Sequence, residues 1–107
     1  PYVNALAVSG SNLFAGAAGG VYVSTNSGTN WTQVNNGLTN SYVLSLATSG
    51  SNLFAGTYGG TFVSTNSGAS WTEINNGLAS TTVRSLAVYG SNLFAGTYGT
   101  GVWRSGF

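Results

Sequence analysis

The 107-residue chain has no Cys, Met, His, Lys or Asp and a single Pro, and its only charged side chains are Glu73, Arg84 and Arg104. Each absence removes a class of function. Without Cys there is no disulfide framework and no thiol nucleophile, and without His or Cys the usual soft metal ligands are missing, so no metal or cofactor is expected. Hydrolysis of glycosides by paired carboxylates needs two acids, and one Glu cannot supply them. A net charge of +1 gives no basic patch for nucleic acid or an anionic membrane. No run approaches the roughly 18 consecutive apolar residues of a membrane-spanning helix. The expectation is a non-enzyme that binds no nucleic acid and does not insert in a membrane.

What remains is apolar and turn-forming. The chain is 42% hydrophobic and 13% aromatic, enough apolar surface to oppose the ordering entropy that keeps polar, Gly-rich chains disordered. The hexapeptide Ser-Asn-Leu-Phe-Ala-Gly begins at Ser11, Ser51 and Ser91, and Asn-Asn-Gly-Leu begins at Asn35 and Asn75, so the chain repeats every 40 residues. No window carries helical i, i+3, i+4, i+7 apolar spacing, and Gly and β-branched residues dominate. A 40-residue period with turn signals every eight to twelve residues is the size of a four-stranded propeller blade.

Within one period the first strand is expected at about 2–8, 42–48 and 82–88, the second at 12–16, 52–56 and 92–96. The third is expected at 21–24, 61–64 and, displaced by the additional Thr100, 102–105; the fourth falls at 31–34 and 71–74. This divides the chain into blade 1 (1–40), blade 2 (41–80) and a three-stranded blade 3 (81–107). Leu38 and Leu78, in the connections between blades, are expected to plug the gaps between them. The absence of an initiating Met before Pro1 reads as a processed chain or part of a longer one.

Between the third and fourth strands lie Ser24-Thr25-Asn26-Ser27-Gly28-Thr29-Asn30-Trp31 and Ser64-Thr65-Asn66-Ser67-Gly68-Ala69-Ser70-Trp71. Asn26 and Asn66 are expected to bond backbone two residues on and to accept positive φ, with Gly28 and Gly68 supplying positive φ freely and each Trp packing back over its own turn. The pattern S-x-N-x-G-x-x-W resembles the Asp-box, or BNR repeat, S-x-D-x-G-x-[ST]-W, of sialidase-like and related β-propellers. Asn replaces Asp in both copies, which keeps the capping acceptor and drops the charge, and Asn30 stands where Ser or Thr is usual. The resemblance implies that Ser24, Asn26, Gly28, Trp31 and Ser64, Asn66, Gly68, Trp71 are structural turns remote from the channel mouth. It also implies that sialidase activity would need an arginine cluster, a Tyr–Glu pair and an Asp acid/base, a set this chain does not contain.

Two features point outward. Three blades are too few to close a ring, which takes about four to eight. The end blades would then expose apolar faces carrying residues such as Leu13, Phe14 and Trp31, and the last blade a bare strand edge. Self-association is expected, with a homodimer completing six blades, the number the resemblance supplies. The loops after the second strands carry Tyr58 and Tyr98, and by propeller topology they share a face with the connections at Asn40, Tyr42 and the Ser80–Thr82 stretch. Arg84 sits in a first-strand slot held by Asn4 and Leu44. These residues form the candidate ligand site, suited to glycans or to a protein partner. The functional expectation is a non-catalytic extracellular or cell-surface binding or scaffold module, lectin-like, acting through the loop face. The alternative is a purely structural repeat that assembles into a ring or array, or a segment of a longer secreted propeller protein.

Overall fold

Alternating apolar residues and Gly-bearing turns make the chain fold back on itself at each turn. The computed structural model describes residues 3–39, 41–74, 82–98 and 101–106. Over these residues eleven strands form three antiparallel sheets of four, four and three strands. The first sheet contains β1 (Val3–Ser9), β2 (Asn12–Ala17), β3 (Gly20–Ser24) and β4 (Thr32–Gln33). The second repeats it as β5 (Val43–Ser49), β6 (Asn52–Thr57), β7 (Gly60–Ser64) and β8 (Thr72–Glu73). The third holds β9 (Val83–Tyr89), β10 (Asn92–Thr97) and β11 (Gly101–Gly106). Among the described residues, strands pair only with sequence neighbours inside their own sheet, so each sheet is a meander blade and no strand ladder runs between repeats. A solenoid would need that ladder.

Successive blades stack face to face, and they meet most closely through their first strands, β1 on β5 and β5 on β9. The hydrophobic core lies in these gaps. One face of blade 1 presents Phe14, Val21 and Val23, with Ala7 beside them. Blade 2 answers with Val43, Leu46, Leu53, Ala55, Phe62 and Trp71, and Leu38 of the connection closes the gap as expected. Leu78 lies outside the described residues. The opposite face of blade 2 packs on Val83, Leu86 and Ala95 of blade 3. The sheets come so close that a Cβ on Gly16 would lie 2.5 Å from Val43 Cγ1, and one on Gly56 would lie 2.7 Å from Val83 Cγ1. Only hydrogen fits there.

Two sequence expectations are corrected. The fourth strand is two residues long rather than four, because only Gln33 and Thr32 pair with Tyr22 and Val23 before the chain turns away toward the next blade. Phe14, expected on an open end face, is completely buried between blades 1 and 2. Among the described residues, the large apolar side chains that blade 1 exposes are Val3, Leu6, Val8 and Trp31, from the other side of the same sheet. Period-two alternation separates the two sides and does not say which one meets a neighbour.

Candidate functional site

Each loop after a second strand is built to hold its second residue outward. In blade 2, Thr57 Oγ1 donates to the Gly60 carbonyl at 2.9 Å and accepts from Gly59 N–H at 3.0 Å, and Gly60 takes φ 115°. Tyr58 N–H donates to the Tyr42 carbonyl at 3.3 Å, which ties the loop to the entry of the first strand. The Tyr42 and Tyr58 rings then stack, with centroids 4.3 Å apart and planes 20° from parallel, while both stay exposed. Blade 3 repeats the tether, Tyr98 N–H to the Thr82 carbonyl at 3.0 Å, and Thr97 Oγ1 donates to the Gly101 carbonyl at 2.7 Å. Here the aromatic partner is a cation: the Arg84 guanidinium lies 5.4 Å from the centre of the exposed Tyr98 ring, within cation–π range.

The structure thus brings Tyr42 to Tyr58 and Arg84 to Tyr98, each pair across a loop and a first-strand entry. Asn40 lies outside the described residues. Blade 1 has Ala17-Ala18-Gly19-Gly20 in place of the Thr and Tyr, so the platform is confined to blades 2 and 3. Its loop is held differently: Gln33 Nε2 and Asn35 Nδ2 both donate to the Gly19 carbonyl at 2.8 Å. The slot of Arg84 is also informative in blade 1, where Asn4 Nδ2 reaches across the gap to the Val43 carbonyl at 2.9 Å.

The Ser-Thr-Asn-Ser-Gly turns are held by hydrogen bonds from their own Ser and Asn side chains. Ser24 Oγ donates to Asn26 Oδ1 at 2.9 Å and accepts from Gly28 N–H at 2.8 Å, while Asn26 Oδ1 accepts from Asn30 N–H at 2.9 Å. In blade 2, Ser64, Asn66, Gly68 and Ser70 repeat these bonds at 2.7–3.0 Å. The amide therefore caps backbone four residues on, not two. Positive φ falls on Ser27 (60°), Ser67 (59°), Gly28 (88°) and Gly68 (90°), and not on either Asn. Asn26 and Asn66 are held elsewhere in φ because their side chains must face back to the serine.

Trp31 and Trp71 differ. The Trp31 indole N–H donates to the Gly28 carbonyl at 3.1 Å, so the ring does lie back on its turn. Trp71 donates instead to the Val34 carbonyl of blade 1 at 2.8 Å and is buried between blades. The second turn is thus docked on the first sheet.

Sequence reasoning anticipated Leu38 as the plug between blades but missed the roles of Asn35, Asn36 and Gly37. Asn35 Oδ1 accepts from Val21 N–H at 2.8 Å, the Asn36 carbonyl accepts from Trp71 N–H at 2.8 Å, and Leu38 is core. Gly37, at φ 89°, would place a Cβ 2.4 Å from the Trp71 carbonyl oxygen. The signal was the exact recurrence of Asn-Asn-Gly-Leu 40 residues later.

Neither a family model nor a curated protein matches the chain. The fold and site define a class on their own terms: stacked antiparallel propeller blades of four, four and three strands, with structural Ser-Asn-Gly turns in the first two and a sparse aromatic platform on the loop face.

Proposed function

We propose that the chain is a non-catalytic, extracellular binding module whose loop face takes a neutral carbohydrate. The observation that carries this reading is the Tyr42–Tyr58 stack, two exposed rings held together at 4.3 Å on the face that also displays Tyr98 and Arg84. Rigid aromatic area with hydroxyl tips suits a ligand that has one apolar face and a rim of hydroxyls, and the guanidinium adds donors without needing a charged partner. The hydroxyl- and amide-rich surroundings supply neutral hydrogen-bonding groups. Catalysis is set aside because the one carboxylate, Glu73, is exposed on a short outer strand with no second acid in the sequence. The resemblance of the two turns to Asp-boxes supports a secreted or surface setting.

A glycan array tests the reading, with Tyr58→Ala, Tyr98→Ala and the double variant as controls. Loss of one platform is expected to weaken binding by roughly 10-fold, as for a buried aromatic anchor. Binding that the double variant retains in full, or no binding to any glycan, would remove the carbohydrate assignment.

A further inference from the structure

The three blades carry closely similar residues in matching register, yet the burial of equivalent positions differs by place in the stack. Val43 and Val83 are both 0% exposed, while their counterpart Val3 is 57% exposed. Leu6 is 64% exposed where Leu46 and Leu86 are at least half-buried. Trp31 is 40% exposed against 5% for Trp71. Val3, Leu6, Ala15, Tyr22 and Trp31 line an apolar cleft of about 390 Å³ on this open side of blade 1. In blades 2 and 3 the same face is covered, and what covers it is known: the opposite face of the preceding blade.

Blade 3 leaves that opposite face open. Phe94 is half-buried where Phe14 and Phe54 are buried, and Val102 is 77% exposed where Val21 is 0%. Gly16 and Gly56 are sockets filled by Val43 and Val83 of the following blade, whereas a Cβ on Gly96 would meet only Ser85 of its own sheet. The chain therefore carries both halves of its own inter-blade interface, one at each end of the stack. Arg104 stands on the blade 3 face where Val23 and Val63 are apolar, and its long stem can lie along that surface with the head at the rim.

We propose that a second copy of this chain docks head to tail, the blade 3 face of one copy on the blade 1 face of the other, with Val3 seated over Gly96 as Val43 is over Gly16. The interface is heterologous, so each copy keeps one half free until the arrangement closes. The described residues of one copy form three blades, so two copies of this stretch supply six, within the roughly four to eight that close a propeller. Two copies closing through two identical interfaces form the expected particle. The assembly is independent of what the loop face binds; closing the ring sets two copies of the Tyr42–Tyr58 platform on one face.

Light scattering after size exclusion tests this on the 107-residue chain and two variants. Leu6→Glu spoils only the blade 1 face and Val102→Glu only the blade 3 face; both positions are exposed in the single chain, so each variant should keep the wild-type far-ultraviolet circular dichroism spectrum. The wild type is expected at twice the 10.8 kDa of one chain and each variant alone at 10.8 kDa. An equimolar mixture of the two variants is expected to recover a dimer, because it restores one intact interface and permits no more. A wild-type monomer, an open series of larger species, variants that still dimerise, or a mixture that stays monomeric would each overturn the proposal. A monomeric wild type would mean that these faces are covered by another partner or by further blades of a longer chain.

Discussion

Ser24 and Ser64 make the same bonds in the same turn, but the Gly68 N–H to Ser64 Oγ bond is buried, whereas its counterpart in blade 1 is only part-buried. A buried N–H left without a partner costs about 1–3 kcal/mol, and a solvated one much less. Ser64→Ala is therefore expected to destabilise the protein by about 2 kcal/mol and Ser24→Ala by about 1 kcal/mol, read from urea denaturation midpoints. Ser45 gives the opposite sign. Its hydroxyl is buried between blades 2 and 3 with no hydrogen-bond partner among the described residues, and blade 1 carries Ala5 in the same slot. Ser45→Ala should raise stability by up to about 1 kcal/mol by removing an unsatisfied polar group. The capping residues of these turns were legible in the sequence because turn chemistry acts over a few residues. The φ assignment was not: turn chemistry favours Asn over Ser in the left-handed region, and the choice of Ser27 over Asn26 follows from where the amide must aim.

Strand existence and pairing were also legible, since period-two alternation and Gly turns recur three times. Strand ends were less so. β4 is short because the chain is needed elsewhere: Asn36 to Leu38 leave blade 1 to hold the turn of blade 2. That segment yields a sharp prediction. Gly37→Ala must both adopt a positive φ and push a methyl into the Trp71 carbonyl, and is expected to cost about 2–4 kcal/mol. Near-ultraviolet circular dichroism should show the Trp71 signal weakening in parallel, because the residues that bond its backbone and ring, Asn36 and Val34, immediately precede the substitution. An unchanged signal with unchanged stability would show that the connection does not hold the turn. Gly56→Ala tests the sheet gap in the same way: its methyl meets Val83 Cγ1 and the Val83 carbonyl, so a loss of about 1–3 kcal/mol is expected.

The stack as a whole derives its core from gaps between sheets rather than from any one sheet. Each blade is a thin layer whose two faces must both be covered, and below about 40 residues a chain rarely buries enough surface to fold alone. A peptide of residues 1–40 is expected to give the circular dichroism spectrum of an unfolded chain, while 1–107 folds; a folded single blade would show that stacking is not what stabilises the fold. Charge has little part in it. With three charged side chains in the sequence, sodium chloride should leave the urea midpoint almost unchanged, while sulfate should raise it by strengthening apolar burial.

The repeat length, the sheet type, the turns and the paucity of acid–base groups were all present in the order of residues, because each depends on contacts within a few positions or on composition. The pairing of Tyr42 with Tyr58 could be anticipated only as a shared face; the stack itself depends on how the loop is tethered. Burial was legible for Leu38 and for the exposed Trp31, and otherwise was not. Val3, Val43 and Val83 sit in near-identical local surroundings, as do Trp31 and Trp71, and nothing local separates them. Their exposure differs because burial belongs to the neighbour that covers a residue, and only the stacking of sheets assigns those neighbours.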